Sequence, residues 1–185
     1  MSHAIVYLPG FCSGPQSEKS VQLKQKFPAL IAVAYDSLNP DNSYRQINAA
    51  LEDLVDNKPL LIGSSLGGFW AYQFAKKYGL KCLLLNPCMT PEVSLRPAVG
   101  PVQNFYSGER GILTAEDLLK YESYRFEGTA QCTVLHEKGD ELIPYHESVT
   151  NFEGKTRLVL VEGGSHRFMR MDVVFTEIDA LLQSP

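Results

Sequence analysis

The 185-residue chain is 44% hydrophobic and carries a formal charge of −4, which suits one packed core and is too little for two comfortable domains. Lys and Arg occur in no run longer than a pair, so there is no electrostatic footprint for a phosphate backbone or an anionic surface, and nucleic acid is not an expected partner. No segment approaches the ~20 apolar residues of a membrane span and no basic leader precedes the first apolar run, so a cytoplasmic protein with no membrane partner is expected.

In chain order, Ala4 to Leu8 is a β-branched apolar run and reads as the first strand. It ends in Pro9-Gly10-Phe11-Cys12-Ser13-Gly14-Pro15, a loop rich in backbone-bending residues. Ser17 is placed to cap a helix running to about Phe27, and Ile31 to Tyr35 reads as the second strand. Asn39 to Asn42 reads as a turn and Ser43 as the cap of the next helix, whose stripe is Ile47, Leu51, Leu54 and Val55. Leu60, Leu61 and Ile62 form a short buried-strand run that enters Gly63-Ser64-Ser65-Leu66-Gly67. Behind it Gly67, Ala71, Phe74, Ala75 and Tyr78 recur at helical spacing up to the stop at Gly79.

Lys81 to Leu85 reads as the fourth strand and breaks at Asn86-Pro87. The pattern then loosens. Residues 87–128 hold several prolines and only Thr114 to Tyr121 looks helical, with Thr114 as cap and Asp117 at the box position, so the stretch reads as a small cap-like excursion within one domain spanning 1–185. Cys132 to His136 reads as the fifth strand, Pro144 to Phe152 as a short helix, Arg157 to Val161 as the sixth strand and Phe168 to Leu182 as the last helix. Strands alternating with helices at these lengths imply right-handed crossovers and a mostly parallel sheet of about six strands with helices on both faces. In such a sheet ligands sit beyond the carboxyl ends of the strands, where the strand order reverses.

Gly63-Ser64-Ser65-Leu66-Gly67 is a G-x-S-x-G nucleophile elbow with Ser65 at its apex. The serine must stand on a tight strand-to-helix turn, and glycines two residues to either side remove the collisions that bulkier residues would bring. A serine hydroxyl is a poor nucleophile at neutral pH and needs a histidine to take its proton and a carboxylate to hold that histidine. His166, in Gly163-Gly164-Ser165-His166 after the last strand, is favoured over His3, His136 and His146. Asp140 follows the fifth strand and Gly139, and is favoured over its neighbour Glu141. The backbone amides of Phe11 and Leu66 are the expected oxyanion donors, with Gly10 permitting close approach. Phe69, Trp70 and Tyr106 are candidates for lining an acyl pocket, as are Phe11 and Phe105, although aromatic residues so spaced are as often core. The four cysteines, Cys12, Cys82, Cys88 and Cys132, lack the spacing of a zinc or redox site and read as free thiols, so no metal is expected.

The chain order Ser65, Asp140, His166 resembles that of the α/β-hydrolase superfamily. More narrowly, Tyr7 to Phe11, Gly63 to Gly68, Asn86-Pro87, Tyr106-Ser107-Gly108, Gly139-Asp140 and Val161 to Phe168 resemble the small bacterial serine esterases of the YqiA/YcfP family. Pro9 departs from that pattern, standing where the family usually has a histidine before the glycine. The resemblance implies a minimal α/β-hydrolase fold without a large lid. It also implies a serine carboxylic-ester hydrolase that acts on short acyl esters through an acyl-enzyme on Ser65, with a small-molecule ester as partner and no cofactor. An acyl-thioesterase with the same triad and an inactive hydrolase-fold binding protein are the alternatives.

Overall fold

The computed structural model describes residues 4–184; His3, one of the histidines weighed above, lies outside them. Its centre is a six-stranded sheet in the order β2-β1-β3-β4-β7-β8, with every pairing parallel. The strands are β1 (Ile5–Leu8), β2 (Ile31–Ala32), β3 (Leu60–Ser64), β4 (Lys81–Leu85), β7 (Gln131–Glu137) and β8 (Arg157–Val161). Helices α1 (Glu18–Lys26), α2 (Pro40–Glu52), α3 (Leu66–Tyr78), α6 (His146–Phe152) and α7 (Met171–Gln183) fill the crossovers and the carboxyl end. This is the minimal α/β-hydrolase architecture, a parallel sheet covered on both faces.

Strand side chains alternate between the two faces, and the core divides accordingly. Val6, Leu8, Leu61, Leu84 and Val134 pack with Phe69, Trp70 and Phe74 of α3 on one face. Ile5, Tyr7, Ile62, Leu83 and Leu135 pack with Leu23 of α1 and Val174 and Ile178 of α7 on the other. No described helix is long and apolar enough to cross a membrane. All four cysteines are free and buried, and Cys82 and Cys132 are register partners on β4 and β7.

Several boundaries differ from the sequence reading. The second strand keeps only Ile31 and Ala32, because beyond them the chain turns Val33 and Tyr35 into the core and ties the Tyr35 hydroxyl to the Pro9 carbonyl at 2.5 Å. Helix α2 is capped by Asn39, which accepts from the Asn42 amide at 3.0 Å, with Pro40 in the first turn; Ser43 instead donates its hydroxyl to the Asp36 carbonyl at 2.6 Å. Proline at the first helical position is pre-set for helix and has no N–H to satisfy, so the helix begins a turn early. Helix α7 begins at Met171, since Phe168 has a φ of 46° and cannot start a right-handed helix.

Residues 87–128 contain more order than expected. Besides α5 (Ala115–Lys120), with the Thr114 and Asp117 capping box foreseen, they form α4 (Pro91–Ser94) and an antiparallel hairpin of β5 (Gly100–Gln103) and β6 (Arg110–Leu113). Gly100 and Pro101 weaken the strand signal in the sequence. Proline is tolerated because this ribbon has just two strands and each has a free edge.

Candidate active site

The strand order reverses between β1 and β3, which are neighbours although β2 lies between them in sequence. Leu8 pairs with Gly63, so the loop after β1 and the turn after β3 leave the sheet side by side. A Cβ on Gly67 would run into the carbonyls of Leu8 and Pro9, so glycine there is what lets α3 begin directly against that loop. Gly10 in turn lies against Ser65, where an added Cβ would stand 3.2 Å from the serine Cβ. Ser65 itself has φ 54° and ψ −122°, a region that costs a residue other than glycine about 1–3 kcal/mol and persists when the surroundings impose it. Here the Ser65 amide donates to the Leu85 carbonyl at 3.0 Å, while its carbonyl accepts from Gly68 at 2.8 Å and Cys88 at 3.0 Å.

His166 Nε2 lies 2.9 Å from Ser65 Oγ. His166 Nδ1 lies 2.8 Å and 3.0 Å from the two Asp140 oxygens. A carboxylate accepts only, so Nδ1 carries the ring proton and Nε2 is left to accept from the serine hydroxyl. The arrangement can therefore move a proton off Ser65 while Asp140 stabilises the resulting cation. Asp140 Oδ1 also accepts from the amides of Leu142 at 2.9 Å and Ile143 at 2.8 Å. Burial by itself would raise the Asp140 carboxyl, but the hydrogen bonds from His136, His166 and the Ile143 amide more than offset it and hold the group well below the usual carboxylate range. Glu141 points elsewhere, its Oε2 accepting from the His166 backbone amide at 3.0 Å, and that bond lowers its carboxyl too.

The His166 loop is clamped by residues that the sequence reading did not assign to the site. Asn86, at φ 43°, donates its side-chain amide to the Ser165 and His166 carbonyls at 2.9 Å and 3.2 Å and accepts from the Glu137 amide at 2.8 Å. The buried Glu137 carboxylate accepts from the Ser165 amide at 2.7 Å. Lys19, reaching from α1, donates to the Phe168 carbonyl at 2.8 Å and to that of Arg167. Burial lowers its ammonium to about 8 against the opposing pull of Glu137 and Glu18. Asn86-Pro87 was legible as a strand stop, but a clamp joining residues about 80 positions apart leaves no periodic trace.

Among the described residues, neither the Phe11 nor the Leu66 amide has a hydrogen-bond partner; Phe11 lines the space above Ser65, and Leu66 follows Ser65 as the first residue of α3. A cleft of about 770 Å³ opens there, walled by Phe11, Leu95, Pro97, Ala98, Ile143 and Met169. Phe105 at the hairpin tip also lines it, its amide bonded to the Cys12 carbonyl at 3.0 Å. Phe69 and Trp70 are not in this lining. Both are fully buried, Phe69 edge-on to Trp70 and to Tyr121 and Trp70 against Tyr121 and Tyr124, because residues 121–125 close over this side of α3. Tyr106 likewise turns away, covering Gly14 and facing a separate polar cleft of about 690 Å³. No group of three or more His, Cys, Asp or Glu among the described residues is arranged to hold a metal ion.

The model of an uncharacterised protein family, UPF0227, matches residues 4–183. The chain belongs to UPF0227. A UPF0227 protein of Serratia proteamaculans (strain 568) is 25% identical over 187 residues, covering 98% of this chain and 99% of the relative. Of solved structures, alpha/beta hydrolase domain-containing protein 10 from mouse superposes with a TM-score of 0.76 at 17% identity, covering 98% of this chain and 90% of its own. Est1E from Butyrivibrio proteoclasticus, with ferulic acid bound, gives 0.75 at 15% identity and covers 98% and 88%. At these identities the UPF0227 chain shares with both the α/β-hydrolase fold.

Proposed function

We propose that this UPF0227 protein is a serine carboxylic-ester hydrolase acting on short acyl esters through an acyl-enzyme on Ser65, as its likeness to the small bacterial serine esterases of the YqiA/YcfP family suggests. The observation that carries the reading is the continuous hydrogen-bonded line from Ser65 Oγ through His166 to Asp140, at 2.9 Å and 2.8 Å, beside two unpartnered amides. His166 Nε2 takes the hydroxyl proton as Oγ attacks the ester carbonyl. The Phe11 and Leu66 N–H groups receive the negative charge that develops on the carbonyl oxygen. His166 then gives its proton to the leaving alkoxide, and water activated by the same imidazole releases the acid. No step calls on a cofactor. Residues 87–128 belong to the same single domain and supply one wall of the cleft.

The test pairs turnover with covalent labelling. Ser65→Ala is expected to abolish both p-nitrophenyl acetate hydrolysis and labelling by a fluorophosphonate probe, with an unchanged circular dichroism spectrum, whereas Ser64→Ala keeps both. Activity surviving in Ser65→Ala, or lost only in Ser64→Ala, overturns the assignment. A wild-type protein inert to the probe is a binding module. Faster turnover of acyl thioesters than of matched esters moves the activity to the thioesterase class.

A further inference from the structure

His136 takes no part in that proton path, yet it stands fully buried behind the carboxylate on which the path depends. It comes from β7, and its Nε2 lies 3.0 Å from the Ile143 carbonyl and 3.4 Å from Asp140 Oδ2. Its Nδ1 lies 2.7 Å from Ser148 Oγ on α6. A backbone carbonyl only accepts, so Nε2 carries the proton, and in the neutral ring Nδ1 accepts the Ser148 hydroxyl. The Nε2–H therefore faces two acceptors: the backbone of the turn that carries Asp140, and the carboxylate itself.

A strand histidine in a core is ordinarily a satisfied packing group. This one is satisfied by Ser148 and by the turn that carries Asp140, and its Nε2 also faces the carboxylate at 3.4 Å. The Asp140 side chain has no exposure, so both of its oxygens must find donors inside the protein. Oδ1 has the Leu142 and Ile143 amides. Oδ2 is bonded to His166 Nδ1 on one side and faces His136 Nε2 at 3.4 Å on the other. Removing His136 takes the donor from the Ile143 carbonyl and the facing N–H from Oδ2, and leaves the turn free to rotate the carboxylate off the His166 ring. The charged and titratable groups about Asp140 are these two imidazoles and the exposed Glu141 in the same turn, while Glu137 of β7 is engaged with the Ser165 amide.

We propose that His136 is a positioning residue for Asp140, its Nε2–H holding the Asp140–Ile143 turn and the Oδ2 edge in the orientation that keeps the carboxylate on His166 Nδ1. The role rests on the serine-hydrolase reading above. A misplacement of about an ångström costs roughly a hundredfold in rate, so His136→Leu, which fills the space without a donor, is expected to lower kcat on p-nitrophenyl acetate about tenfold to a hundredfold at nearly constant KM. His136→Gln places an amide N–H near the position of Nε2 and is expected to recover most of that loss. In parallel, the His166 Nδ1–H proton resonance, assigned by its disappearance in His166→Ala, is expected to persist in wild type and His136→Gln and to broaden away by exchange in His136→Leu.

Wild-type kcat in His136→Leu, or equal losses in two folded variants, overturns the role. If His136→Leu does not fold, Ser148→Ala decides, because it frees the ring's other nitrogen without emptying the core. A lower kcat at unchanged KM supports the role and an unchanged kcat overturns it. A wild-type protein without ester turnover sinks the esterase reading instead, and the resonance, which needs no turnover, still decides: its retention in His136→Leu overturns the role of His136.

Discussion

Two adjacent carboxylates at 140 and 141 have separate tasks because only one is enclosed. Asp140 receives two amides and the His166 ring, whereas Glu141 holds the His166 backbone from the surface. Asp140→Asn is expected to lower kcat by about ten-thousandfold, the magnitude seen when a triad histidine is held in the wrong tautomer, and Glu141→Gln by far less, since an amide oxygen still accepts from the His166 N–H. Equal losses in an ester assay would move the role to Glu141. The same bonds link Asp140 to stability. Its carboxyl is held below its ordinary value, so its contribution is fully present above the unfolded-state value of about 3.9 and is lost as pH falls through the depressed folded value. The difference in unfolding free energy between wild type and Asp140→Asn, measured by urea denaturation, is therefore expected to narrow steadily below about pH 4. A constant difference would mean that the ionised form is not what the fold favours.

The loops after β7 and β8 meet through backbone, and that contact sets Asp140 beside His166. The Gly139 amide donates to the Gly163 carbonyl and the Lys138 amide to the Val161 carbonyl, both at 2.8 Å. A Cβ on Gly139 would stand 2.6 Å from the Gly164 carbonyl oxygen and 2.9 Å from that of Gly163, closer than any side chain tolerates. Gly139→Ala is thus expected to cost about 1–3 kcal/mol, the usual range for overpacking, and to lower kcat more than the stability loss explains, because it pushes Asp140 and His166 apart. Chemical denaturation and initial rates on the same sample check both halves, and a stable, fully active Gly139→Ala would show that the loops do not need this contact. The cover element is fixed with comparable economy. The Glu147 carboxylate of α6 accepts from the Met89 and Thr90 amides at 2.6 Å and 2.8 Å. Arg125 meets both Glu92 oxygens, at 2.9 Å and 3.0 Å, and lies over the Phe69 ring. Residues 87–128 are thereby tied to both α3 and α6 despite their low content of regular structure.

At the scale of the whole molecule, the cleft is bounded on one side by the sheet loops and on the other by the cover. Its apolar wall stops at the hairpin tip, where Phe105 is 88% exposed. Each buried methylene contributes roughly 0.8 kcal/mol, about fourfold in kcat/KM, while wall remains to cover it. We therefore expect kcat/KM on p-nitrophenyl esters to climb over the first few acyl carbons and then fall, with Phe105→Ala shortening the climb and leaving the rate on acetate unchanged. A steady rise out to palmitate would require a longer apolar channel than Leu95, Pro97, Ala98 and Phe105 enclose.

The sequence alone determined what depends on local chemistry. Glycines flanking Ser65 dictate an elbow, apolar runs alternating with helical stripes dictate a parallel sheet covered on both faces, and glycines before Asp140 and His166 mark loops able to fold over that elbow. Side-chain direction around a helix was harder to read, since Phe69 and Trp70 could as well have faced a cleft as the core until Tyr121, Tyr124 and Arg125 were in place over them. What only the tertiary structure decided is contact across long separations, as between Asn86 or Lys19 and the His166 loop, and side-chain direction, with the Tyr106 ring turned into a second cleft and His136 turned onto the carboxylate four residues ahead of it. These depend on which strands are neighbours and in what register. A hydrogen bond between distant residues imposes no spacing on the chain between them, so it leaves no pattern to read there.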